Sequence, residues 1–265
     1  DQRSITEFRP RDVRGYIFET LDKHQGPYEV GLFGGNVFGL TSRQLEDLFS
    51  HFDKYTHKIS GFRISTKPVG YDTEKLSILK EHRVEIIELG SPTFNDKQLS
   101  VLNRAHTSED TVKTAEMLKA EGFRVALQFM TGLPDETMDD IEKTIGMMER
   151  LKPHYIRIYP LVILAGTLMS QMYGRKEFLA TDFETVLDRS VYLYLSALGK
   201  RIPVVRMGLS DNELIREHIM GGYYHPAYGY LVKSRSFYKA ILANLEFFGT
   251  ALNHVTILLN NADVP

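Results

Sequence analysis

Five polar side chains interrupt runs that are otherwise apolar: Arg63 in "ISGFRIS", Glu88 in "VEIIEL", Gln128 in "FRVALQFM", Arg157 in "HYIRIYPLVI" and Arg206 in "IPVVRMG". The runs are rich in β-branched residues and bounded by turn residues, the pattern of buried strands. An unpaired charge inside such a strand costs several kcal/mol, so these groups need a shared polar space or partners at a rim. A further run, "YEVGLF", leads straight into Gly34-Gly35-Asn36. Glycines there let a ligand approach the backbone, and exposed amides hold a charged group; a plain tight turn into the next helix is the bland alternative. No G-x-G-x-x-G, Walker lysine pattern or H-E-x-x-H occurs, which argues against a phosphate cradle of those kinds and a zinc hydrolase.

Helical patterns lie between most of the strands. Thr41 and Gln44 form a capping box ahead of Leu45, Leu48, Phe49 and Phe52, which predicts a helix over 42–55. Val112, Ala115 and Leu118 share a helical face with Gly122 as the stop, and Ile141, Ile145, Met148 and Leu151 repeat the pattern up to Pro153. Alternating strands and helices predict an α/β fold with a parallel sheet. A partial (β/α) TIM-like barrel is favoured over a doubly wound sheet, because a barrel offers each polar interruption an inward face. Spacing by two places Arg63 with Ser65, Glu88 with Gly90, and Arg157 with Tyr159 on common faces. The barrel is expected over 1–210. A C-terminal extension is expected over 211–265, where an aromatic loop from 221 runs into a helix and "HVTILLN" reads as a strand.

The whole composition narrows the function classes. The 265 residues, 43% hydrophobic, suffice for one large core, and the net charge of -2 announces neither nucleic acid nor a membrane surface. No apolar run is long enough for a bilayer and "DQRSITEFRP" is no secretion signal, so a cytoplasmic protein is expected. There is no cysteine, hence no disulfide and no thiolate in these residues.

The strand ends read "STKP", "ELGSPTFND", "MTGLPDET" and "YPLVILAGT". With "IELGSPTFNDKQLSVLNRAHTSEDT" (87–111), "GFRVALQFMTGLPDET" (122–137) and "LKPHYIRIYPLVILAGT" (151–167), the chain resembles the radical S-adenosylmethionine superfamily. The resemblance is to the branch around the Elongator catalytic subunit and oxygen-independent coproporphyrinogen oxidase, and it extends over roughly the first 235 residues.

It implies a partial barrel with a [4Fe-4S] cluster on a C-x-x-x-C-x-x-C loop, where S-adenosylmethionine binds the cluster, is cleaved reductively, and yields a 5'-deoxyadenosyl radical that abstracts a substrate hydrogen. An electron donor such as flavodoxin or ferredoxin is implied with it. "DQRSIT" resembles the residues that follow the third cysteine in this branch, which places the first strand and the cluster ligands upstream of Asp1. By position, Gly34, Gly35 and Asn36 resemble the Gly-Gly-acid motif that holds the amino group of S-adenosylmethionine, with Asn36 in place of the acid. Ser65 stands where relatives often carry Glu, Arg104 matches an arginine that pairs with the cofactor carboxylate, and Gln128 matches a polar cofactor contact. Pro92 stands where the coproporphyrinogen enzymes place Gln, which argues against that activity itself. RNA or a tetrapyrrole-like molecule is the substrate class suggested.

Other constellations have blander readings. His106 either lines the site beside Arg104 or caps its loop. Asp135, Glu136, Asp139 and Asp140 fall at a helix start, where acids suit the dipole. Tyr223, Tyr224, His225, Tyr228 and Tyr230, with Lys233 and Arg235, suit base stacking; packing of an extension across the barrel is favoured over it. Two further functions stay open: a degenerate barrel binding a nucleotide-like ligand or RNA without redox chemistry, and a lyase or aldolase barrel, for which Lys67 is the only candidate Schiff-base lysine.

Overall fold

A computed structural model describes residues 10–33, 35–210, 216–248, 254 and 256, with the side chains of 10–14 and 16 left aside. Strands β1 (Tyr28–Leu32), β2 (Ile59–Thr66), β3 (Val84–Gly90), β4 (Arg124–Thr131), β5 (Ile156–Pro160) and β7 (Val204–Met207) form one six-stranded sheet in that order. Every pairing in it is parallel. The sheet curls into a half-barrel whose end strands are β1 and β7. β6 (Val162–Leu164) and β8 (Ile219–Gly222) make a separate antiparallel pair.

Helices cover the convex face: α1 (Pro10–Lys23), α2 (Ser42–Ser50), α3 (Thr73–Glu81), α5 (Ser108–Ala120), α6 (Met138–Leu151) and α8 (Phe183–Gly199). Shorter α4 (Asp96–Val101) and α7 (Leu168–Gly174) sit in connections, and α9 (Tyr228–Phe248) packs along α8 and against β7. The alternation of each strand sends Ile64, Ile87, Leu127, Phe129 and Ile158 outward. There they meet Leu45, Phe49, Leu79, Leu118, Met148 and Leu193 in one core. Each such side chain contributes about 1.5–3 kcal/mol on burial, which fixes which face of the sheet remains for polar groups. The helices start where their caps say: Thr41 with Gln44, Thr107 with Asp110, and Thr137 with Asp140 all close capping boxes.

Two expectations are corrected. The helix over 42–55 ends at Ser50, and a 3₁₀ turn, Asp53–Tyr55, follows. The change of path lets Tyr55 stack on Phe18 of α1 at 5.6 Å and donate its hydroxyl to Asp22 at 2.9 Å. The run 154–163 is not one strand. Pro160 has no N–H for a ladder, and after Leu161 donates to Thr131 O at 2.8 Å the chain leaves the sheet to pair with β8. The strand expected in "HVTILLN" lies outside the described residues, apart from His254 and Thr256.

A hydroxyl chain ties α9 through α8 to the sheet. Thr131 Oγ1 of β4 and Ser190 Oγ of α8 are 2.8 Å apart, and Ser190 is 2.8 Å from the Tyr228 hydroxyl of α9. Burial pushes the Tyr228 phenol up to about 12. Gly208 is required beside it, because its φ is +78° and a Cβ would sit 2.6 Å from Tyr228 Cβ.

Candidate functional site

The C-terminal ends of the parallel strands are where a half-barrel presents groups to a ligand. At the end of β1, Gly35 is exposed and a Cβ added there would meet nothing within 4 Å, so no part of the described chain demands a glycine. Gly34 lies outside the described residues. Asn36 joins two strand ends: its Oδ1 accepts from Thr66 Oγ1 at 2.8 Å and from Lys67 N–H at 3.0 Å. Thr66 Oγ1 in turn accepts from Phe38 N–H at 3.0 Å. A carbonyl oxygen has two lone pairs, and both are engaged. The Asn36 oxygen therefore braces β1 against β2 and has no lone pair left for an ammonium.

The loop after β3 folds back beside this brace. Pro92 O accepts from Met130 N–H at 2.9 Å, which fastens the loop to β4. Asn95 and Gln98, one capping α4 and one within it, donate to Asp140 at 2.7 and 3.4 Å. The loop then carries Arg104 and His106. His106 is buried, and neither ring nitrogen has a hydrogen-bond partner. Burial lowers its pKa, and Arg104 and Lys67 act in the same direction. The ring thus caps nothing and lies within reach of the charges of Arg104 and Lys67.

The concave face of the sheet holds all five polar interruptions, and the registers put them side by side. Ser65 pairs with Glu88, Gly90 with Gln128, Gln128 with Arg157, and Arg157 with Arg206. Arg157 Nε is 2.9 Å from Glu88 Oε2, with side-chain exposures of 12% and 6%, and Arg63 Nε is 2.7 Å from Glu29 Oε2. The contacts are ion pairs whose angles fall short of hydrogen bonds. Burial pushes the Glu88 carboxyl up, and Arg157, Tyr155, Arg63 and Arg206 oppose it. Gln128 Nε2 donates to Phe129 O at 3.1 Å. Below lies a small apolar cluster of Ile86, Ala126 and Tyr155.

Phe33 completes this face and was not singled out in the sequence. Its ring folds back over Gly31, where a Cβ would lie 2.3 Å from it, and the guanidiniums of Arg157 and Arg63 stand 4.3 and 5.7 Å from its centroid. Glu29 and Tyr155 were missed as well. The signal was present in the period of two, which puts Glu29 with Gly31 and Tyr155 with Arg157 on the faces already assigned.

Parts of the acidic cluster and of the aromatic segment are held in structural contacts. Glu136 is buried against Arg189 of α8 at 3.0 Å and accepts from Gly132 N–H at 2.8 Å. Arg235 pairs with Glu184 and Asp188. A cleft lined by Asp53, Ile59, Glu81 and Arg83 lies at the opposite, N-terminal ends of β2 and β3. The residues do not fit an iron–sulfur cluster: the chain has no cysteine, and no group of three His, Cys, Asp or Glu among the described residues is disposed to hold a metal. No helix among them is long and apolar enough to cross a membrane.

Comparison with known proteins bears on the family and the fold. Residues 4–148 match the family model described as the Radical SAM superfamily, and residues 153–236 match the Radical_SAM C-terminal domain. The chain is 27% identical to a tRNA uridine(34) acetyltransferase of Methanocaldococcus jannaschii over 53% of its own length and 26% of the relative's. It is 30% identical to the heme chaperone HemW of Bacillus subtilis over 51% of its length and 37% of that protein's. The matched stretch is thus well under half of either relative. The solved structure of Elp3 from Methanocaldococcus infernus superposes with a TM-score of 0.70 at 18% identity, covering 87% of this chain and 59% of that one.

Proposed function

The chain belongs to the radical SAM superfamily, and from that membership we propose that it is the S-adenosylmethionine- and substrate-binding barrel of an enzyme that abstracts hydrogen through a 5'-deoxyadenosyl radical. The proposal includes the division into a barrel over 1–210 and an extension over 211–265, a cytoplasmic setting, and an electron donor of the flavodoxin or ferredoxin kind. RNA and tetrapyrrole-like molecules are the substrate classes considered, since tRNA and heme figure in the names of the relatives. Because these residues offer no thiolate, this chain is assigned no part as a cluster ligand, and no step is derived through the cluster.

The observation that supports the reading is the polar rim at the ends of β1 to β4. Open backbone at Gly35 and the groups of Asn36, Ser65 and Arg104 belong to strand ends or to loops that follow them, and Gln128 lies within β4 beside Gly90 at the end of β3. Gly34 is assigned to the same site by its place in the sequence. In this reading Gly34 and Gly35 let the nucleotide lie on the backbone, and Asn36 holds β1 and β2 at the spacing the ligand needs. Arg104 meets the cofactor carboxylate with its forked donors, while Ser65 and Gln128 face the ligand from the concave side.

A second reading, a barrel that binds a nucleotide-like ligand without redox chemistry, is favoured by the saturated Asn36 oxygen. One experiment separates the two. The full-length protein, with whatever precedes Asp1, is titrated with S-adenosylmethionine, then reconstituted anaerobically with iron and sulfide and assayed with a reductant for 5'-deoxyadenosine. Cleavage supports the first reading; binding without iron uptake or cleavage supports the second; absence of binding refutes both.

A further inference from the structure

The concave face carries more positive than negative charge, and the excess sits at one edge. Arg63 is matched by Glu29 and Arg157 by Glu88. Arg206, the register partner of Arg157, has no carboxylate within ion-pair distance among the described residues. Its guanidinium turns toward the strand-end side, donating to Gly208 O at 3.3 Å and to the Ser210 hydroxyl. Burial pushes the Glu88 carboxyl up, against the pull of Arg157. Arg157 also has Nη1 at 3.4 Å from the Tyr159 hydroxyl, so a second polar group on the same face points to the same place. Phe33, 37% exposed, gives the arginines a flat apolar neighbour at the open side.

We propose that Arg206, with Arg157 beside it, receives an oxyanion group of the substrate, a carboxylate or a phosphate. The inference rests on the reading of this chain as a substrate-binding barrel, and it adds the chemical class of what enters. Guanidiniums bind either group through paired parallel hydrogen bonds, and a site with low-dielectric walls strengthens them. Arg104, which is assigned to the cofactor, lies on the loop after β3, whereas Arg206 lies on β7 at the far edge of the sheet. The two arginines therefore belong to different elements of the fold, and the oxyanion receptor is distinct from the group assigned to the cofactor.

The test uses the full chain at low ionic strength, with inorganic phosphate and succinate as the two probes and ligand-dependent stabilisation in thermal melts as the readout. At least one probe is expected to raise Tm in a saturable way, and high salt should abolish the effect. Arg206→Gln should weaken that apparent affinity about tenfold, the loss of one charge-assisted contact. Arg206→Lys, which keeps the charge without the fork, should fall between. Arg150→Gln, on the exposed pair with Glu116, should change nothing. Stronger response to phosphate or to succinate identifies the source of the oxyanion.

If neither probe binds, or if both bind Arg206→Gln as they bind the parent protein, the proposal is overturned. Circular dichroism of the variants separates a lost contact from a lost fold, and Arg206→Lys carries the test if the glutamine variant does not fold. S-adenosylmethionine titrations run alongside and should be unaffected by Arg206→Gln. Loss of that binding in the parent protein, with the anion response intact, would count against the cofactor assignment and leave the oxyanion receptor standing.

Discussion

Replacing Glu136 by glutamine should make the protein more stable at pH 8 while leaving it nearly unchanged at pH 4.5. Glu136 is 2% exposed at its side chain, in the loop after β4, where it meets Arg189 at 3.0 Å and Gly132 N–H at 2.8 Å. Burial pushes its carboxyl from the ordinary 4.5 up to about 7, against the pull of Gly132 and Arg189. A carboxyl whose folded-state pKa is raised binds its proton more tightly when folded. Its favourable contribution is therefore complete below pH 4.5 and is lost as pH rises through about 7. At roughly 1.4 kcal/mol per pH unit, that gap amounts to about 3 kcal/mol. Glutamine keeps an acceptor for Gly132 and removes the titration. Other carboxylates contribute slopes of their own, so the quantity to measure is the difference between parent and Glu136→Gln in urea unfolding at pH 4.5, 6, 7 and 8, values chosen to span the titration. The difference should grow to about 3 kcal/mol in favour of the variant. If the parent is the more stable at pH 8, the Arg189 pair outweighs the cost of burial and the reasoning fails.

Four further outcomes follow from the same geometry. Asn36→Ala removes the acceptor that holds Thr66 and Lys67 and should cost about 1–3 kcal/mol in denaturant melts. Asn36→Asp keeps one oxygen on those donors and frees a second, charged one, so S-adenosylmethionine should bind about tenfold tighter by calorimetry; weaker binding would count against the rim assignment. Tyr228→Phe breaks the hydroxyl chain at its α9 end and should lower stability by about 0.5–1.5 kcal/mol, read by thermal unfolding. Gly208→Ala meets both a positive φ and the Tyr228 Cβ, and should cost about 2 kcal/mol or more in the same assay.

Much of the fold was legible because its signals are local. Apolar, β-branched runs bounded by turn residues mark the strands of the sheet, and the capping box at Thr41 places a helix start without reference to anything distant; the boxes at Thr107 and Thr137 emerge from the structure. The barrel followed from an electrostatic argument on single residues: Arg63, Glu88, Gln128, Arg157 and Arg206 needed a common polar face, and the registers supply one. Local pattern failed where a distant partner decided the path. Tyr55 leaves the line of α2 to reach Phe18, and Val162 leaves the sheet for Gly222.

By itself the sequence determined the alternation of strands and helices in the main sheet and the family, and it nominated the rim from Gly34 to Gln128. Only the tertiary structure decided what those groups do to one another. Asn36 spends both lone pairs bracing two strand ends, Glu88 serves Arg157, and Arg206 is left without a carboxylate among the described residues. The physical reason is that hydrogen-bond saturation and charge compensation depend on distances between residues far apart in the chain. Sequence spacing sets which face a side chain takes, whereas the curl and register of the sheet set its partner.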